Sequence, residues 1–138
     1  MDEERQIIDL TTALVGRVLE QYHSRIAEFG LSGPEAKALL SLQPGDTLPM
    51  RTIADRIHAN PSNLTLVISK LQGRGLISVT PAGDRRVKGV TLTDSGAAIR
   101  HRLETRLYTD HPAVQGLSAN QRTSLLRILR RLADPPNG

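Results

Sequence analysis

The feature that most constrains this chain is a change of period at Gly75. Before it, residues 50–57 and 61–74 carry apolar side chains at helical spacing: Ile53, Ala54 and Ile57, then Leu64, Val67, Ile68 and Leu71. Only His58, Ala59 and Asn60 separate the two runs. Asn60 is suited to cap the second helix and Pro61 to fill its first position. Gly75 supplies a left-handed stop. After it, residues 76–80 and 87–92 read as strands around a Pro81-Ala82-Gly83-Asp84 loop. Two short helices across a tight turn, followed by a hairpin, predict a winged helix-turn-helix.

The flanks are helical. Residues 4–29 place Ile7, Ile8, Leu10, Leu14, Val15, Val18, Leu19, Tyr22, Ile26 and Phe29 at gaps of three and four, and Gly30 ends the run. Residues 35–42 form a short helix behind Pro34, burying Ala36, Leu39 and Leu40, and Pro44-Gly45-Asp46 is a turn. Thr93 caps a helix over 94–108, and His111-Pro112 breaks it. Ser118 caps a last helix to 132, with Leu125, Leu126, Ile128, Leu129 and Leu132 expected to be buried. The expected fold is mainly α with a small β-hairpin wing, flanked by N- and C-terminal dimerisation helices. Residues 31–102 form the winged domain, and residues 1–30 with 103–138 the dimerisation region.

Charge is unevenly placed. Residues 50–92 hold seven basic residues (Arg51, Arg56, Lys70, Arg74, Arg85, Arg86, Lys88) against Asp55 and Asp84. The rest of the chain holds eleven basic and twelve acidic residues, so the net charge of +4 belongs to the middle. A localised basic surface suggests an anionic partner, with nucleic acid the commonest. The absence of cysteine excludes a thiolate nucleophile, a disulfide framework and Cys-ligated zinc. The four histidines show no metal-binding spacing, and no nucleophile elbow or phosphate-cradling loop appears, so an enzyme is not expected and no cofactor is implied. Three aromatic residues are too few for stacking platforms on single-stranded RNA. No apolar run is long enough to span a membrane and the acidic start is unlike a signal peptide, so a cytoplasmic protein is expected.

Within the winged motif, the second helix fits the major groove of double-stranded DNA, about 12 Å wide. Its outward face carries Ser62, Asn63, Thr65, Ser69 and Lys70, short polar groups and one long cation. The hairpin tip then lies beside the minor groove, where Arg85, followed by Arg86, meets concentrated negative potential. A protein-interaction adaptor, its basic surface meeting an acidic partner, is the competing reading.

Three segments together resemble the MarR family of bacterial transcription regulators: Thr52-Ile-Ala-Asp-Arg-Ile, Pro61-Ser-Asn-Leu-Thr-Leu-Val-Ile-Ser-Lys-Leu-Gln-Gly-Arg-Gly-Leu-Ile, and Gly83-Asp-Arg-Arg-Val-Lys-Gly-Val-Thr-Leu-Thr-Asp-Ser-Gly. The Asp-Arg-Arg tip followed by Leu-Thr-x-x-Gly is the most specific element. The resemblance implies a homodimer on a palindromic operator, usually a repressor released by a small-molecule effector. By position it puts Ser62, Asn63, Thr65 and Lys70 on the recognition helix and Arg85 in the minor groove. It further implies that Asp84 holds the wing arginine and that Thr52 meets a phosphate. Leu66 departs from it, standing where a basic residue is common, and Thr80, Pro81 and Ala82 replace the usual charges before the tip.

The long apolar stripes of the terminal helices need a cover. Either the two helices bury each other within one chain, or a second copy covers both; a two-fold pair is the expectation. Tyr22, His23, Arg25 and Phe29, near the end of the first helix, are the side chains considered for a phenolic or carboxylate effector, with a partly buried histidine and a surface arginine as the plainer reading.

Overall fold

The computed structural model describes residues 2–81 and 88–134. The elements run α1 (Glu3–Ala27), α2 (Gly33–Ser41), β1 (Thr47–Pro49), α3 (Met50–Ile57), α4 (Pro61–Gly73), β2 (Ile77–Pro81), β3 (Lys88–Leu92), α5 (Asp94–Tyr108), α6 (Pro112–Gln115) and α7 (Ala119–Ala133). Contacts divide the chain into two compact units, one over Tyr22–Tyr108 and the other from the segments on either side.

The Tyr22–Tyr108 unit holds the buried core. Leu39, Leu42, Ile53, Leu64, Leu71, Val90 and Leu103 are all essentially inaccessible to solvent. Side chains from α2, α3, α4, β3 and α5 thus share one apolar interior, which fixes how α3 and α4 are held. Helix α2 begins with a capping box: Ser32 Oγ accepts from the Glu35 amide, and the Glu35 carboxylate accepts from the Ser32 amide. Leu40 is half-buried rather than enclosed.

The sheet is antiparallel in the order β1-β3-β2. Strands β2 and β3 pair with Val79 opposite Val90 and Pro81 opposite Lys88, the expected hairpin. Strand β1 was not expected. It follows the Pro44–Asp46 turn and pairs Thr47 with Thr91, whose hydroxyls lie 2.7 Å apart. Three residues carry too little pattern to mark a strand; the free edge of β3 creates it.

Four arginines stitch this unit together. Arg25 donates to the carbonyl of Arg106 (2.6 Å), Arg56 to that of Ser41 (2.9 Å) and Arg100 to that of Leu40 (3.1 Å). Arg74 donates to the carbonyls of Phe29 and Gly30, both at 3.1 Å. Each guanidinium meets carbonyls at or just beyond a helix C-terminus, where hydrogen-bonding partners are missing and the helix dipole is negative.

In the other unit, no described residue is buried. The expectation that α7 buries its leucines in a core is therefore corrected for the single chain: Leu125 is half-buried, and Leu126, Ile128, Leu129 and Leu132 are exposed. On α1, Ile7, Ile8, Leu10, Val15, Val18 and Leu19 are exposed as well. A short helix, α6, follows the break at Pro112; His111 caps it, its Nδ1 accepting from the Ala113 amide at 3.2 Å.

Candidate nucleic-acid interface

The site is built on α4 and the turn before it. His58 ends α3 in the left-handed conformation (φ 54°, ψ 40°), and the amides of His58 and Ala59 both donate to the Ala54 carbonyl. This closes α3 within one residue and turns the chain sharply. Asn60 then accepts from the Asn63 amide through its side chain at 2.9 Å, the predicted cap. Buried Ala54 and half-buried Ala59 keep the crossing of α3 and α4 tight.

Helix α4 has two unlike faces. Leu64, Val67, Ile68 and Leu71 point into the core, while Ser62, Asn63, Thr65, Ser69 and Lys70 are all exposed. The Thr65 hydroxyl donates to the Pro61 carbonyl at 2.9 Å and keeps lone pairs for a further partner. Thr52 is half-buried in the first turn of α3. The structure thus places six of the predicted residues on the paired helices α3 and α4. Asp84, Arg85 and Arg86 lie outside the described residues.

Some of the central cations also hold the fold. Arg56 and Arg74, two of the seven central cations, are exposed and donate to backbone carbonyls of other segments of the same chain. Arg25, considered as an effector contact, is buried against the end of α5 and holds the fold instead. His23 is exposed and meets Tyr22 edge-on, with ring centroids 6.1 Å apart. No sequence signal could have assigned these arginines, since their partners lie 15 to 81 residues away.

A cavity of about 440 Å³ borders the helix-turn-helix from behind, lined by Tyr22, Lys37, Leu40, Ser41, Arg56, Ile57, His58 and Tyr108. Burial, with Tyr108 as a secondary cause, pushes the Tyr22 phenol above its ordinary value of 10.0, so it remains a hydroxyl donor at neutral pH. The cavity therefore offers cations, a phenol and a histidine around an apolar floor.

The comparisons with known proteins match this geometry. Residues 31–88, which include α2, β1, α3, α4 and β2 and end at the first residue of β3, match the MarR family. They form a MarR-family domain. MarR-family proteins are transcription regulators, not enzymes. The chain is 24% identical over 103 residues to the organic hydroperoxide resistance transcriptional regulator of Bacillus subtilis, covering 74% of this chain and 70% of that protein. It is 31% identical over 85 residues to the HTH-type transcriptional repressor MdtR of Bacillus subtilis, covering 61% of this chain but only 55% of that protein. A MarR family protein of Mycobacterium tuberculosis, solved in complex with DNA, shares the fold with a TM-score of 0.77 at 23% identity, over 91% of this chain and 95% of that one. The fold outside the MarR-family domain is thus shared too. Among the described residues, no helix is long and apolar enough to cross a membrane.

Proposed function

We propose that this chain is a cytoplasmic transcription regulator that binds duplex DNA as a homodimer and represses from a palindromic operator. The observation that carries this reading is the exposed polar face of α4, braced from behind by α3 and fixed by four buried apolar side chains. In this reading Ser62, Asn63, Thr65, Ser69 and Lys70 enter the major groove and Thr52 meets a phosphate. Arg85, held by Asp84 and flanked by Arg86, enters the minor groove. The likeness to a relative solved with DNA and to one named a repressor supports the same mode.

Dimerisation follows from exposed apolar surface. Helices α1 and α7 leave Leu10, Leu19, Ile128 and Leu132 at least half exposed, and large apolar side chains left open in this number are what an interface covers. A two-fold partner would cover both stripes and set two recognition helices about 34–36 Å apart, one duplex turn. The cavity beside His58 supports effector control. A ligand pressing on the left-handed turn would tilt α4 relative to α3 and spoil the spacing of the two readers. Residues 31–102 would then be the reading domain, with 1–30 and 103–138 the pairing region.

Selection of duplexes from a random pool tests this. Enrichment of an inverted repeat with half-sites about ten base pairs apart is the expected result. With about eight phosphate contacts, log K should fall with log salt at a slope near −7. Failure to enrich any duplex would overturn the reading in favour of an adaptor. Arg85→Ala should cost about 1–3 kcal/mol per half-site if the wing reads sequence.

A further inference from the structure

The outward face of α4 is not uniformly polar. At 100° per residue, positions 62, 66, 69 and 73 fall along one line, directly opposite the buried Leu64 and Leu71. That line reads Ser62, Leu66, Ser69, Gly73. Leu66 is 58% exposed, whereas its neighbour Val67 is 9% exposed and turned inward. Leu66 forms part of one wall of a groove of about 380 Å³ against Pro34 and His58, yet most of its surface stays open.

The rest of the line is small. Ser62 and Ser69 are short, and a Cβ at Gly73 would meet nothing within 4 Å among the described residues, so internal packing does not ask for glycine there. Glycine in a helix also costs about 1 kcal/mol against alanine. Small residues above and below let the helix backbone approach a partner closely, leaving Leu66 as the one side chain that projects from the middle of the line.

We infer that Leu66 is a specificity residue that packs against the C5-methyl group of a thymine in the major groove. The inference rests on the proposed DNA-reading role of α4. Among the four base edges in that groove, only thymine presents an apolar group. Guanine and adenine present ring and exocyclic acceptors or donors, and cytosine an amino donor. Pressing an isobutyl group against those would strip them of water without giving a hydrogen bond. Opposite a thymine methyl, the same side chain removes apolar surface from water on both partners. Leu66 therefore selects a base by apolar contact rather than by a hydrogen bond.

Deoxyuridine, which is thymidine without the methyl, tests it. The full chain is used to select duplexes from a random pool, and each thymine of the selected site is replaced singly by deoxyuridine. At one thymine per half-site, wild-type affinity should fall about fourfold, the worth of one buried methyl. Leu66→Ala should bind thymine and deoxyuridine duplexes equally at that position, while Leu66→Met should keep the preference for the methyl. Loss of the methyl having no effect anywhere, with duplex binding intact, would overturn the inference and leave the DNA-binding reading standing. An unchanged methyl effect in Leu66→Ala would also overturn it, by assigning the contact to another residue. If no duplex is bound, the underlying reading fails and the inference with it.

Discussion

A Cβ placed on Gly96 would lie 1.8 Å from the carbonyl oxygen of Leu76. The first turn of α5 rests directly on the backbone entering β2. Thr93 locks the same junction: its amide donates to the Leu76 carbonyl at 3.1 Å, and its hydroxyl donates to the Gly75 carbonyl at 2.6 Å. That hydroxyl also accepts from the Gly96 amide at 3.0 Å. The Leu-Thr-x-x-Gly sequence is thus a packing device joining α5 to the chain between α4 and the hairpin.

Gly96→Ala should therefore destabilise the fold by about 2–3 kcal/mol or more, since the obstacle is backbone and cannot rotate away. The gain in helix propensity, about 1 kcal/mol, does not offset it. Urea denaturation compares this variant with Ser95→Ala, an exposed neighbour expected to be nearly neutral.

Arg74 and Lys70 sit one helical turn apart in sequence but should behave oppositely. Arg74→Ala removes two hydrogen bonds to the end of the first helix and should cost about 1–2 kcal/mol of stability. Arg74→Lys should recover only part, because an ammonium cannot span both carbonyls with a planar fork. Lys70→Ala should leave the denaturation midpoint unchanged and lower the magnitude of the salt slope of DNA binding by about 1 per subunit. Equal stability losses at both positions would contradict this division of roles.

Acid should loosen the contact between Glu28 and Arg106. The guanidinium donates to both carboxylate oxygens at 2.8 Å, and this hydrogen bonding, the largest cause, holds Glu28 below its ordinary value of 4.5. A depressed carboxyl pKa gives stability that is fully present above the unfolded value and lost as pH falls through the folded one. The difference in denaturation midpoint between wild type and Glu28→Gln should be constant above about pH 5 and shrink below 4.5. The pair is surface-exposed, so 1 M salt should reduce that difference at neutral pH.

Leu129→Glu combined with Leu132→Glu should halve the solution mass measured by sedimentation. Both side chains are exposed in the single chain, so the charges can reach solvent there, whereas a partner covering them would bury them. A wild-type protein of about 15.1 kDa in solution would remove the basis for the paired arrangement.

Local chemistry made most of the fold readable. The Asn60-Pro61 start of α4, the left-handed Gly75, the Ser118 cap and the switch from helical to alternating spacing each act within a few residues, and each appears where expected. The polar face of α4 was legible for the same reason: apolar positions at 64, 67, 68 and 71 fix what points outward.

Long-range pairing was not legible in that way. Strand β1 exists because β3 offers it an edge, and nothing in Thr47-Leu48-Pro49 announces that. Arg25, Arg56, Arg74 and Arg100 look like surface charge in one dimension; they become carbonyl clamps once distant helix ends are brought beside them. A side chain's reach along the chain is a few residues, so spacing encodes its own helix or turn. Which distant carbonyl it finds depends on how those helices pack, and that packing is a property of the whole core.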